Sequence, residues 1–120
     1  MYGKLNWFFP DAELPPAGEG ALKGHESVII LNPNAQPSEI TVKLYFDDGR
    51  AVHSFATQIP PETVVCLRTN EQAQMGGVVV PLETQYAISL HATTPVVAQY
   101  GRLDNRQTNL AFYTTSGYCE

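Results

Sequence analysis

The chain has 120 residues and a mass of 13.2 kDa, enough for one domain over residues 1–120 and too little for a second catalytic lobe. Hydrophobic residues make up 43% and charged residues 16%, which excludes a disordered or coiled-coil chain and suits large internal or intersubunit surfaces. Seven Lys and Arg against twelve Asp and Glu give a net charge of −5, a surface that repels phosphate backbones and disfavours nucleic acid as a partner.

Residues 5–9 read as a first strand, broken by Pro10. The stretch from Pro10 to Gly24 holds three prolines and three glycines; a loop of that length is usually functional or contacts a neighbour. Residues 27–32 form a second β-rich run. From Glu39, Ile40, Val42, Leu44 and Phe46 alternate with Thr41, Lys43 and Tyr45, the period-two pattern of a half-buried strand. Asp47-Asp48-Gly49-Arg50 makes a turn, and residues 51–56 return to complete a hairpin. Further strands are expected at 63–68, 86–91, 96–100 and 110–115, separated by turn-rich stretches that include 93–95. No window carries a capped 3.6-residue apolar stripe. About eight short strands without alternating helices predict an all-β, single-domain antiparallel sandwich of jelly-roll type.

Cys66 and Cys119 stand too far apart for the paired spacing of zinc or thioredoxin sites. Cys66 is expected as a small buried hydrophobe in its apolar run. The first ten residues are too short and too soon broken for a signal segment, and no stretch approaches about 18 apolar residues. A cytoplasmic protein is the simplest expectation.

Gly18-Glu19-Gly20-Ala21-Leu22-Lys23-Gly24 misses the spacing of phosphate-binding glycine motifs, and a strand follows it where those motifs need a helix. His25, His53 and His91 with Glu26 lack metal-site spacing, and adjacent His25 and Glu26 face opposite sides of an extended chain. No metal or other cofactor is expected. The densest polar cluster runs from Gln99 to Asn109. In an extended chain Arg102, Asp104 and Arg106 share one face, with Asp104 bridging two guanidinium groups. Such a cluster serves as a salt-bridge scaffold or as a rim gripping a hydroxylated or anionic ligand. Trp7, the only tryptophan, reads as a core anchor or as a platform for a sugar ring. No nucleophile beside a base, and no placed carboxylate pair, marks a catalytic site.

Trp7, His25-Glu26-Ser27-Val28, Ile30-Leu31-Asn32, Tyr45-Phe46 with Asp48, and Pro95-Val96-Val97 leading to Gln99 and Arg102-Leu103-Asp104-Asn105-Arg106-Gln107 together resemble the sensory rhodopsin transducer family. The order and spacing match over roughly residues 7 to 116. The resemblance implies a soluble β-sandwich that assembles as a homotetramer. It further implies either docking on the cytoplasmic face of a membrane photoreceptor, a rhodopsin, or non-enzymatic sensing of a small molecule such as a carbohydrate. The chain stops soon after Ser116, which weakens the expectation of rhodopsin docking. The resemblance raises Trp7, His25, Glu26, Asn32, Gln99, Arg102, Asp104, Arg106 and Gln107 as candidate ligand-binding residues. His25 with Glu26 as an acid–base pair is the sole opening for an enzyme, and no catalytic activity is expected.

Overall fold

Alternation of apolar and polar side chains decides the fold, because each strand then has one face for water and one for the interior. The computed structural model describes residues 1–120. Its strands are β1 (Lys4–Glu13), β2 (His25–Asn32), β3 (Ser38–Phe46), β4 (His53–Ile59), β5 (Thr63–Arg68), β6 (Gln85–Asp104), β7 (Ala111–Thr115) and β8 (Tyr118–Cys119). A single 3₁₀ turn, Gln72–Gln74, is the only helical piece.

Strand β6 organises everything else. Its first half pairs with β1 and β3, building the antiparallel order β4-β3-β6-β1-β8. Its second half pairs with β2 and β7, and β2 pairs with β5, giving a second layer of order β5-β2-β6-β7. The eight strands are therefore one hydrogen-bonded set folded into two layers. Between the layers lies one core that includes Phe9, Ile40, Leu44, Ile88 and Leu90 from the five-stranded sheet and Val28, Ile30, Leu67 and Tyr100 from the four-stranded one. The accessible surface, 6575 Å², agrees with the roughly 6,400 Å² expected of a folded monomer of this mass.

The expected turn at 93–95 is corrected by this architecture: the runs 86–91 and 96–100 are one strand that passes from one sheet to the other at Thr93, Thr94 and Pro95. Proline has no N–H to give a ladder, and β1 shifts register here, pairing Lys4 with Val96 but Asn6 with His91. Carbonyls at the crossing are taken up by side chains instead. Ser38 Oγ donates to Thr94 O at 2.7 Å, Asn34 Nδ2 to Pro95 O at 2.9 Å, and Trp7 Nε1 to Val96 O at 3.1 Å. Gly3, at φ 101°, lies against the same point; a Cβ there would stand 2.5 Å from Val96 O, so only glycine fits.

Other expectations also change. β1 continues through Pro10 to Glu13, shortening the loop that follows, and β8 forms from residues that gave no strand signal. Cys66 is exposed on β5, not buried: it pairs with Ile29 on the outer side of the sheet.

Candidate functional site

The nine candidate residues fall in four different places. Trp7 is 6% exposed, and its indole N–H serves the β6 crossing, so it offers no ring face to a sugar. Asn32 is fully buried at the end of β2. Its amide donates to the carbonyls of Gln36, Ile59 and Pro60, and its Oδ1 accepts the Asn34 N–H at 3.1 Å. It shapes the turn that presents Asn34 to Pro95. Both side chains are engaged within the fold.

Glu26 and Arg102 are cross-strand partners on the inner face, where β2 begins and β6 ends. Glu26 has no exposed surface, and burial of a carboxylate is tolerated only where donors surround it. Four do: Tyr86 Oη at 2.6 Å and Thr69 Oγ1 at 2.8 Å to Oε1, and Glu13 N–H at 3.0 Å and Tyr100 Oη to Oε2. Burial, and secondarily the Glu26 charge, push both phenols well above the ordinary tyrosine range, so they remain donors. The hub ties β1, β2, β6 and the segment after β5 together.

Arg102 donates from Nη1 to Glu13 O at 3.1 Å and lies 4.7 Å over the Tyr113 ring. It does not share Asp104 with Arg106. The chain leaves β6 at Asp104, whose carboxylate accepts the backbone N–H of Arg106 at 2.9 Å, a side-chain turn that ends the extended run. The expected bridge is thereby inverted: Arg106 gathers three carboxylates, Asp104, Glu83 at 3.1 Å and Glu13 at 3.3 Å. Hydrogen bonding from Arg106 holds the Asp104 carboxyl below its usual range, and the same carboxylate, then Glu83, raises Arg106. Asp104, Arg106 and the exposed Gln107 also border a shallow groove of about 330 Å³ with Asn109 and Ala111. The two charged walls of that groove are already occupied with each other.

His25 and Gln99 lie on the other side of the same sheet. Glu26 points inward and His25 outward, so the two cannot act as an acid–base pair. On the outer face the register stacks Val64, Leu31 and Val97 in one row; Cys66, Ile29 and Gln99 in the next; then Arg68, Ser27, Gly101 and Thr114; then His25, Leu103 and Phe112. Val64, Leu31, Val97 and Ile29 are exposed by 58, 40, 43 and 38%.

Sequence reasoning missed Glu13, Thr69, Tyr86 and Tyr113 of the inner network and Arg68, Gly101 and Phe112 of the outer face. Tyr100 alternating with Arg102 carried a signal that both face one way. The other contacts depend on which strands are neighbours.

Residues 2–119 match the family described as Anabaena sensory rhodopsin transducer. Solved structures that share the fold include the following two. The Thermotoga maritima 1070 protein is 31% identical, with 100% of this chain and 97% of that one covered at a TM-score of 0.88. The Anabaena sensory rhodopsin transducer is 26% identical, with 90% and 95% covered at a TM-score of 0.73. No functionally curated protein sequence matches the chain.

Proposed function

The chain belongs to the Anabaena sensory rhodopsin transducer family, and on that premise we propose that it is a non-enzymatic, cytoplasmic signalling adaptor, one domain over residues 1–120, that self-associates as a homotetramer and docks on a membrane photoreceptor of the rhodopsin type. No helix of the structure is long and apolar enough to cross a membrane. The observation that carries the reading is the outer face of the four-stranded sheet. The row Val64, Leu31, Val97, with Ile29 beside it, is apolar and uncovered, and a contiguous apolar patch on a sheet marks a protein interface more often than it marks bare surface.

A carbohydrate-sensing role at the β6 end has less behind it. Trp7 is buried, Arg102 is held by Glu13 and Tyr113, and Asp104 and Arg106 hold each other. The charged candidates at that end are each engaged by other groups of the protein.

Light scattering of the purified chain is expected to give the mass of four chains, and Leu31→Lys is expected to break that assembly while leaving the chain folded, with a melting temperature lowered only by the loss of the subunit contacts. The tetramer should capture a retinal-binding receptor from membranes. A monomeric wild-type chain that recovers no integral membrane protein would overturn the reading.

A further inference from the structure

The polar half of the outer sheet face holds groups that the fold leaves without partners. Four residues along β2 from Leu31, about 13 Å at strand rise, Ser27 sits between Arg68 of β5 and Gly101 of β6. The missing side chain at Gly101 leaves a groove of about 230 Å³, bordered by His25, Arg68, Gln99 and Phe112. Backbone conformation does not require this glycine. It is not among the residues with positive φ, and an added Cβ would meet only Thr114 Cγ2 at 3.4 Å and Tyr113 O at 3.7 Å. Its effect is to open space above the sheet.

The four arginines of the chain show what is unusual here. Arg50 is paired with Asp48, Arg106 with three carboxylates, and Arg102 with the Glu13 carbonyl and the Tyr113 ring. The Arg68 guanidinium has no ion pair and no hydrogen bond; only its backbone N–H is used, by Gln74 at 2.8 Å. The Gln99 amide is likewise unbonded. His25 engages the Lys23 carbonyl through Nδ1 at 2.7 Å, which leaves Nε2 without a partner.

We propose that this groove binds a small organic monocarboxylate, with Arg68 and Gln99 taking the carboxylate and Phe112 with Ile29 covering its apolar body. A planar guanidinium matches a carboxylate through paired donors. Arg68 is the single Lys or Arg bordering the groove, and one guanidinium on a protein of net charge −5 suits a monoanion better than a phosphate dianion or a polyphosphate. The volume falls below the roughly 300–1,000 Å³ of drug-sized sites, which points to an acid of few carbons. The groove lies at the polar end of the face that carries the apolar row and shares Ile29 with it, so the inference requires that end to stay open in the assembly; it does not require receptor docking.

Amide NMR titration of the full chain with benzoate and with 3-methylbutanoate tests it, with inorganic phosphate and glucose as comparison ligands. Saturable shifts are expected around residues 25–29, 99–101 and 112–114 for at least one carboxylate, with phosphate and glucose much weaker. Arg68→Gln should weaken binding by about tenfold or more, the loss of a charge-assisted hydrogen bond, and Gly101→Val should abolish it by filling the groove. Absence of shifts with either carboxylate at millimolar concentration, equal binding of phosphate or glucose, shifts confined to the Arg102 and Arg106 end, or binding that survives Arg68→Gln would each overturn the proposal. If Gly101→Val does not fold, Arg68→Gln decides alone, since Arg68 is exposed and holds nothing together.

Discussion

On the inner face of the four-stranded sheet Glu26, Asn32 and Arg102 all hold protein partners, whereas on the outer face of the same strands Arg68 and Gln99 hold none through their side chains. The two faces are one residue apart in sequence. His25 and Glu26 are neighbours, as are Gly101 and Arg102, yet alternation sends one of each pair into the scaffold and the other into solvent. Polar chemistry alone therefore does not mark a functional residue. The informative property is whether the fold has already used it, because a buried polar group must be paired while an exposed one is free to meet a partner.

The largest effect that could break this contrast is at Glu26. Glu26→Ala leaves two phenols, one threonine hydroxyl and the Glu13 N–H without their acceptor, and is expected to cost about 3–5 kcal/mol in urea denaturation. A loss near zero would mean that the hub contributes nothing to the scaffold. Next in size is a pair of substitutions on adjacent β2 residues. Ile30 has no exposed surface and Ile29 is 38% exposed; Ile30→Ala should cost about 2–5 kcal/mol, and Ile29→Ala about 1 kcal/mol or less. Similar losses at both positions, measured at a concentration where light scattering shows a monomer, would show that the outer face is covered within the chain itself.

The alternation of β3, the hairpin around Gly49 and the all-β class were legible because each is a local pattern. So was the divergence of His25 from Glu26. The crossing at Pro95 was not, since a proline after two threonines reads locally as a turn; the strand persists because Ser38, Asn34 and Trp7 supply donors from 56 to 89 residues away. Arg106 was misplaced for a similar reason. Extension past Asp104 was assumed, and the Asp104 side chain ends it by capturing the Arg106 N–H. Arg68 gave no sequence signal at all, because its significance lies in the absence of an acid beside it on the outer face, where β2 is the only strand paired with β5, and strand order is a property of the whole chain.

The outer face of the five-stranded sheet is an intermediate case that sharpens the comparison. There Tyr45 Oη meets Ser89 Oγ at 2.8 Å, Ser89 Oγ meets His91 Nε2 at 2.9 Å, and His91 Nδ1 meets Asn6 Oδ1 at 2.9 Å. Burial, then the Lys43 charge, lower the His91 pKa from 6.5. The folded state thus binds the proton less readily than the unfolded state, so this contribution to stability is present above pH 6.5 and is lost as pH falls through the folded pKa. Thermal melts of the wild type are expected to drop on that acid limb, and His91→Gln should flatten it modestly; an unchanged slope in the variant would remove His91 from the account.

The contrast between the faces is tested most directly by one matched pair, Arg102→Ala and Arg68→Ala, the same substitution on opposite sides of one sheet, each measured by urea denaturation at neutral pH. Arg102→Ala removes a hydrogen bond to Glu13 O and the contact with Tyr113, and is expected to cost about 1–2 kcal/mol. Arg68→Ala should stay within about 0.5 kcal/mol of the wild type. If Arg68→Ala destabilises the chain as much as Arg102→Ala, Arg68 belongs to the scaffold and the outer face is not free for a ligand or a partner.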